Sequence, residues 1–155
     1  MTKANINTKK VLAVASGGGH WVQLSLLSES FKHCDIHYVT TDLNLSAIES
    51  QTDLSVVIDA DLSQKVRLIP LSIQMAALII RKRPDYIIST GAAPGFFAVL
   101  FGQLIGAKTI WVDSMANHSK LSVSGKYASK FCDLCLTQWP HLADNKRVKY
   151  SGSLL

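Results

Sequence analysis

The sequence has little cysteine, and its amino terminus lacks an apolar segment. Its three cysteines, Cys34, Cys132 and Cys135, are too few for the disulfide framework of a small secreted domain. Met1 is followed by mostly polar residues, whereas a secretory signal has an apolar run near the amino terminus. We therefore expect a cytoplasmic protein with reduced thiols.

A membrane-spanning segment is also missing. Residues 86–107 carry no charge, and their number would allow a helix to cross a bilayer. The segment Thr90–Gly95, with its polar residues, glycines and proline, divides this stretch into halves that are each too short to span. We predict a strand, a turn and a buried helix there instead.

Charged residues are few as well, at 17% of the 155 residues against 48% hydrophobic ones. This balance is typical of a globular chain, and the length fits one domain. No repeat or linker divides the sequence. We expect one domain over residues 9–155, after a disordered or loosely ordered segment at 1–8.

The net charge of +5 is concentrated in two regions. Residues 61–83 hold five basic side chains against one aspartate, and residues 118–149 hold six against two. Such a surface is either simply solvated or attracts an anionic partner, such as a membrane or a diphosphate. Nucleic-acid-binding motifs are absent, so we expect no nucleic-acid partner.

Short apolar segments alternate with segments long enough for helices. Six of the apolar segments are Val11–Ala15, Ile36–Thr40, Ser55–Ile58, Tyr86–Ser89, Thr109–Val112 and Leu134–Thr137, and a further strand and turn follow at Val148–Gly152. This alternation predicts an α/β fold, in which a parallel sheet is covered by helices on both faces.

Two prolines mark helices in the middle of the chain. Pro70 suits the first turn of a helix over Pro70–Arg83, which Pro84 ends. This helix is apolar around most of its circumference, so it either packs in the core or lies against a partner or lipid. Pro94 opens a second apolar helix, Gly95–Ile105.

The most informative segment is residues 11–21, where an apolar strand runs into Ser16, three glycines and His20. Glycines let a ligand approach the backbone, and the free N–H groups of the following helix attract phosphate. We predict a phosphate-bearing ligand near residues 16–21. His20 is either a capping or packing residue or a proton acceptor at the helix start.

Two other strand ends carry polar residues. Thr90 and Gly91 follow one strand, and Asp113 and Ser114 follow the next. Because parallel strands end at the same sheet edge, His20, Thr90 and Asp113 can converge there. Asp113 is then either a structural cap or a second candidate for general-base catalysis.

Several other chemistries find weaker support. The glycine loop lacks the lysine of a P-loop and has Val22 where a nicotinamide dinucleotide fingerprint needs its third glycine, although Asp42 could mimic the ribose-binding acid. Cys132 and Cys135 have redox spacing, but they lead into a strand, and no further cluster completes a metal site. We expect buried packing for these cysteines and no metal or cofactor.

The order and spacing of these motifs resemble the acceptor-side half of split family 28 glycosyltransferases. The matching segments are Gly17–His20, Ile88–Gly91, Gly106–Ile110, Asp113–Ser114, Leu121–Lys126, Gln138–Trp139 and Tyr150–Ser153. That family includes capsule and exopolysaccharide proteins of the PssD type and the anchor subunit of the eukaryotic dolichol-linked GlcNAc transferase. The chain is more distantly similar to the N-terminal domain of MurG.

This resemblance implies a Rossmann-like domain that corresponds to the N-terminal half of a GT-B glycosyltransferase. The chain would bind a lipid-diphosphate-linked acceptor at the inner face of the cell membrane, where its attachment would be peripheral. A separate partner chain would bind the UDP-sugar and form a heterodimer with it. The end at Leu155 coincides with the position where the linker to a donor domain would begin.

The family also implies roles for individual residues. His20 and Asp113 are the candidate catalytic residues, although relatives usually have glutamate in place of Asp113. The residues expected to contact the acceptor diphosphate are Ser16, Gly17, Gly18, Gly19, Trp21, Thr90, Gly91 and Ser114. Many relatives have an arginine close behind the acidic residue, where this chain has Asn117 and His118.

We therefore predict a hexosyltransferase subunit that is active only with its partner, in the synthesis of polysaccharide or lipid-linked oligosaccharide. The alternatives are a non-catalytic scaffold that recruits and activates the partner, and a nicotinamide dinucleotide-binding protein.

Overall fold

The computed structural model describes residues 8–48, 53–61 and 63–154, so the predicted N-terminal segment lies almost entirely outside the described residues. The strands in the described part are β1 (Lys10–Val14), β2 (Asp35–Thr40), β3 (Leu54–Val56), β4 (Tyr86–Ser89), β5 (Lys108–Val112), β6 (Leu134–Thr137) and β7 (Val148–Tyr150). The helices are α1 (Gly19–Leu26), α2 (Leu43–Ile48), α3 (Lys65–Lys82), α4 (Ala92–Leu104) and α5 (Val123–Ala128).

The strands form one sheet in the order β3-β2-β1-β4-β5-β6-β7, and every neighbouring pair is parallel. The order reverses between β1 and β4, where Val14 lies beside Ser89. Open α/β sheets bind ligands at such a reversal, beyond the carboxyl ends of the strands. The α/β prediction is confirmed, and the fold is Rossmann-like.

The helices cover both faces of the sheet, because each strand of the centre is apolar on both sides. On one face, Leu71, Met75 and Ile79 of α3 pack with α4 against the sheet. On the other, Trp21 and Leu24 of α1 pack against the alternate side chains of the same strands. Two buried layers therefore hold the central strands in place, and their carboxyl ends form a rigid edge.

The first half of α3 differs from the prediction. The helix begins at Lys65, so Pro70 is its sixth residue and not part of its first turn. The proline leaves the carbonyl four residues earlier without its helical hydrogen bond. Val66, which carries that carbonyl, is 82% exposed, and Pro70 is exposed as well. The helix continues through this proline on an exposed turn.

The α4 helix also begins earlier than predicted, at Ala92, but Pro94 still lies in its first turn. An α-helix has no internal partner for the N–H groups of its first turn, so a proline there costs no hydrogen bond. Pro94 is buried, and Gly95 follows it directly beneath β4, where a Cβ would clash with the Ser89 hydroxyl oxygen. The helix start is therefore packed closely against the end of β4.

Candidate functional site

The candidate site lies at the carboxyl edge of the sheet, where loops leave the neighbouring strands β1, β4 and β5. The first loop, residues 15–18, leads into α1; the second leads from Ser89 into α4; the third begins at Asp113. The structure therefore brings the three predicted segments to one edge, on either side of the reversal in strand order.

The glycine turn, which we define as Gly17–Gly19, is open to solvent over its last two residues. Gly18 has a φ of 70°, in the left-handed region that glycine adopts without strain. A Cβ on Gly18 or Gly19 would meet no atom within 4 Å, whereas one on Gly17 would lie 3.0 Å from the Cβ of Asp42. The main chain of Gly18 and Gly19 is thus accessible to a ligand.

The helix that follows this turn has the features of an anion site. The start of α1 has no side-chain cap and no acidic residue in its first turn. The N–H groups of that turn point out of the helix end, where the helix dipole is positive. An anion over Gly18 and Gly19 would therefore be stabilised by main-chain donors alone.

His20 and Thr90 bond each other across the gap between α1 and β4. The His20 Nδ1 lies 2.8 Å from the Thr90 carbonyl oxygen, and the Thr90 hydroxyl donates to the His20 carbonyl at 2.7 Å. A carbonyl only accepts, so Nδ1 carries the proton. The tautomer with its proton on Nδ1 has its lone pair on Nε2, for which none of the described residues supplies a hydrogen-bond partner.

Gly91 allows this arrangement, because the imidazole of His20 lies directly over its Cα. A Cβ at position 91 would lie 2.5 Å from His20 Cε1. The backbone there has a φ of 138° and a ψ of −171°, which is a region that only glycine adopts readily. The predicted Gly91 is therefore needed twice, for its turn and for the position of the imidazole.

Asp113 lies at the same edge but has a different environment. It is 1% exposed, and its carboxylate accepts from the Trp111 indole N–H at 3.1 Å, the Ser122 main-chain N–H at 2.9 Å and the Ser122 hydroxyl. Ser122 in turn caps α5 by accepting from the Gly125 N–H at 2.8 Å. The carboxylate thus holds the start of α5.

A buried glutamine joins the glycine turn to the loop after β5 and to Gln138 after β6, and the sequence analysis did not single it out. Gln23 of α1 is 6% exposed; its Nε2 donates to the Ser114 hydroxyl at 3.1 Å and to the Gly19 carbonyl at 3.3 Å. Its Oε1 accepts from the Met115 N–H and from Gln138 Nε2. The sequence could have indicated Gln23, because it is a polar residue at a position of α1 that faces the core.

Two of the predicted contact residues have limited access to a ligand. The Trp21 side chain is 8% exposed and packs edge-on against Tyr38, with ring centroids 5.7 Å apart. Only the main chain of Trp21 can therefore face the site. Ser114 is also buried, and its hydroxyl bonds Gln23. Ser16 is partly exposed and lines a cavity beside the glycine turn.

That cavity, of about 430 Å³, lies between the loop after β1 and the loop after β2. Asp42 and Asp59 line it together with Asn44, and the Gly17 N–H faces it while donating to the Thr41 hydroxyl at 3.1 Å. Two carboxylates repel an anion, so a diphosphate is better placed on the Gly18–His20 side of the turn.

The cysteines of the Cys132–Cys135 pair interact with each other at the start of β6. Cys135 is 1% exposed, and its hydrogen bond with Cys132 together with burial raises the pKa of its thiol. Hydrogen bonding to Cys135 lowers the pKa of Cys132. Both pack against the core. Within the described ranges, no group of three histidine, cysteine or acidic residues is arranged to hold a metal ion.

The outer face of α3 is apolar although it is exposed. Val66, Ile69, Ile73 and Ile80 are 61–82% exposed and recur at helical spacing along one side. The basic residues Lys65, Arg67 and Arg81 lie on the same helix. None of the helices in the described ranges is long and apolar enough to cross a membrane.

Solved structures with the same fold identify the architecture of the chain. It matches MurG from Acinetobacter baumannii with a TM-score of 0.75 and 11% identity, covering 92% of this chain and 45% of that one. It matches a UDP-N-acetylglucosamine 2-epimerase from Rickettsia bellii with a TM-score of 0.71 and 14% identity, covering 96% and 46%. The fold is that of the N-terminal half of GT-B glycosyltransferases.

The chain belongs to the Alg14-like family of oligosaccharide biosynthesis proteins, which matches residues 57–154. It is 35% identical over 85 residues to the UDP-N-acetylglucosamine transferase subunit ALG14 of Yarrowia lipolytica, covering 50% of this chain and 39% of that one. It is 39% identical over 75 residues to the corresponding subunit of Schizosaccharomyces pombe, covering 44% and 36%. It thus spans well under half of the length of these relatives.

Proposed function

We propose that this chain is the acceptor-binding subunit of a two-chain glycosyltransferase. The complex would transfer a sugar from a UDP-sugar to a lipid-diphosphate-linked acceptor in exopolysaccharide, capsule or lipid-linked oligosaccharide synthesis. The observation that carries the proposal is the free Nε2 of His20 beside the open glycine turn. The relatives named UDP-N-acetylglucosamine transferase subunits support the reaction class.

In the proposed reaction, the acceptor diphosphate binds over Gly18 and Gly19 and an acceptor hydroxyl faces His20. The hydroxyl oxygen attacks the anomeric carbon, and the bond from that carbon to the UDP oxygen breaks. The electron pair of the broken bond leaves with UDP, while Nε2 of His20 takes the proton. Thr90 contributes by keeping the other ring nitrogen protonated.

Of the two candidate bases, His20 fits the role better than Asp113. A base must reach the proton that it removes, and both Asp113 oxygens already accept hydrogen bonds in a buried position. We propose that Asp113 instead acts through Ser122, by holding the loop before α5 at the rim of the site.

The word subunit in the names of the relatives supports a partner chain. We propose that this partner binds the UDP-sugar and closes over the carboxyl edge. The site on this chain alone is open, and transfer to an acceptor hydroxyl requires that water be kept from the anomeric carbon. The isolated chain is then expected to be nearly inactive, because no second chain excludes water there.

We further propose that the outer face of α3 rests on the cytoplasmic side of the cell membrane. Val66 and Ile69 lie at the end of α3 that follows the carboxyl end of β3, on the same edge of the sheet as the proposed acceptor site. An apolar stripe flanked by basic residues suits the interface of an anionic bilayer. Such peripheral contact would bring the site to a lipid-linked acceptor.

The test is sugar transfer by the complex purified with its partner, measured with radiolabelled UDP-N-acetylglucosamine and a lipid-diphosphate acceptor. In His20→Asn, the amide nitrogen can still donate to the Thr90 carbonyl, but no base remains. We expect kcat to fall by roughly 10²–10⁴-fold with little change in KM. The exposed His33 provides the control, and His33→Asn should retain full activity.

Normal assembly with unchanged turnover in His20→Asn would contradict a catalytic role and favour the scaffold alternative. Full activity of the chain without any partner would contradict the split enzyme. Asp113→Asn belongs in the same series, since a positioning role predicts that it weakens binding of the partner or acceptor more than it lowers kcat.

One observation favours the nicotinamide alternative: Asp42 follows β2 and lies against Gly17, as a ribose-binding acid would. The third glycine of that fingerprint allows a helix to pack closely on a strand, but Val22 at that position is 54% exposed and makes no such packing. Saturable binding of NAD to the wild-type chain in calorimetry, abolished in Asp42→Ala, would favour this alternative over the glycosyltransferase.

A further inference from the structure

We propose that Gln23 and Gln138 form a buried positioning pair, which sets the distance between the glycine turn and the loop after β5 and so determines diphosphate affinity. The inference depends on the proposed function for the identity of the ligand. The two side chains are 6% and 4% exposed, so neither is available to contact substrate itself.

The pair bonds main-chain groups from separate parts of the edge. Gln23 donates to the Gly19 carbonyl at 3.3 Å and accepts from the Met115 N–H at 3.1 Å. Gln138 donates to the Asp113 carbonyl at 3.1 Å and accepts from the Leu154 N–H at 3.1 Å. The two amides meet where Gln138 Nε2 donates to Gln23 Oε1 at 2.6 Å.

These main-chain partners leave one orientation for each amide. A carbonyl cannot donate and an N–H cannot accept, so the Gly19 and Met115 groups determine which end of Gln23 is oxygen. The Asp113 and Leu154 groups do the same for Gln138. Each amide therefore has one defined orientation: Gln23 bonds the glycine turn and the loop after β5, and Gln138 bonds the loop after β5 and Leu154.

The hydrogen bonds of the amide pair fix the loops beyond the ends of the strands, as the main-chain bonds of the sheet fix the strands. The β1–β4 and β5–β6 ladders end at Val14 and Val112, and the last main-chain bonds, from Ala15 to Val39 and from Asp113 to Leu136, reach only the first residue of each loop. Within the loops, the amide pair supplies hydrogen bonds from its side chains to main-chain groups. A change of about 1 Å between the glycine turn and Ser114 would alter how main-chain donors converge on a phosphate.

A matched glutamine lies at the opposite end of the sheet. Gln103 is half-buried at the end of α4 and donates to the Thr109 hydroxyl at 2.7 Å and to Asp133 at 2.8 Å. It makes as firm a polar contact as Gln23, but it is remote from the glycine turn. A general loss of stability is therefore separable from a loss of site geometry.

The experiment measures binding of inorganic pyrophosphate to the full chain by calorimetry, together with thermal unfolding. We expect Gln23→Met to weaken pyrophosphate binding about tenfold, and Gln138→Met to weaken it by a smaller factor. The double variant should bind as Gln23→Met does, since the two act as one link. Gln103→Met should lower the unfolding temperature but change affinity by less than about twofold.

Wild-type affinity in folded Gln23→Met overturns the inference, as does an equal loss in Gln103→Met. If Gln23→Met does not fold, the same comparison is made with Gln138→Met. A wild-type chain that does not bind pyrophosphate contradicts the diphosphate site of the proposed function. The pair is then judged by hydrogen exchange at the Met115 amide, which should quicken in Gln23→Met and not in Gln103→Met; equal rates overturn the inference.

Discussion

The two ends of the sheet use the same types of side chain in opposite ways. At the carboxyl end, Asp113 is buried and accepts from Trp111 and Ser122. At the amino end, Asp133 accepts from the Thr109 N–H at 2.8 Å and pairs with the exposed Lys108 at 3.2 Å. One carboxylate holds a loop at the rim of the site, and the other holds the start of a strand in contact with water.

Histidines and glycines show the same contrast. His20 bonds Thr90 in a different loop and leaves Nε2 free, whereas the buried His37 lies between Asp53 and Ser55 at the other end. Gly91 is covered by a side chain, whereas Gly106 is open to solvent. Loop positions at the carboxyl end therefore depend on bonds between buried groups, whereas the carboxylates at the amino end, Asp53 and Asp133, are in contact with water.

The largest expected difference between the two ends is in their aspartates. In Asp113→Asn the amide nitrogen faces a donor in either orientation, the Ser122 N–H or the Trp111 indole N–H, so we expect the free energy of unfolding to fall by about 3 kcal/mol. Asp133→Asn, at a hydrated position, should cost about 1 kcal/mol. Urea denaturation of both variants measures the difference. Equal losses of unfolding free energy would mean that the two carboxylates contribute equally to stability.

The glycines give the next contrast. Gly91→Ala should cost about 3 kcal/mol, because it adds backbone strain and forces His20 away from Thr90. Gly106 has a φ of 81° with open space around its Cα, so Gly106→Ala should cost only about 1 kcal/mol of backbone strain. Thermal unfolding gives the stabilities, and sugar transfer should be lost only in Gly91→Ala. Retained transfer there would contradict the assigned position of His20.

The third contrast is in pH dependence. Burial lowers the pKa of His37 below its ordinary value of 6.5, while Asp53 opposes this shift. The unfolded chain therefore binds a proton before the folded one does, so stability is full above about pH 6.5 and falls as the pH decreases below it. We expect His37→Gln to reduce this fall and Asp53→Asn to steepen it, in urea midpoints measured between pH 8 and 5. Parallel curves for all three proteins would contradict this account.

Much of the fold could be predicted because its signals are local. The strands follow from short apolar segments, and their parallel order follows from the helices between them. Pro70 was misplaced because the helix continues through it on an exposed turn, and exposure is not visible in the sequence. Local rules therefore describe the elements better than their ends.

The site was predictable only in part, because its geometry depends on contacts between distant residues. The glycine turn and His20 are adjacent in sequence and were identified. The partners of Asp113 and the role of Gln23 required the tertiary structure, since Gln23 and Gln138 are 115 residues apart in the sequence. In the sequence, a buried glutamine cannot be told from an exposed one until its hydrogen-bond partners are known.

The smallest expected effect comes from the exposed ion pair at the amino end. Lys108 and Asp133 have side chains that are 66% and 34% exposed, so water screens their attraction. Lys108→Gln should change the free energy of unfolding by at most about 0.5 kcal/mol, and by less in 1 M salt. Ser122→Ala, which removes a cap and one of the Asp113 donors, should cost about 1–2 kcal/mol at any salt concentration. An equal loss of unfolding free energy in Lys108→Gln and Ser122→Ala, retained in 1 M salt, would contradict this comparison. The polar contacts at the amino end would then stabilise the protein as much as those at the carboxyl end. Buried polar bonds would no longer distinguish the edge that we assign to the ligand.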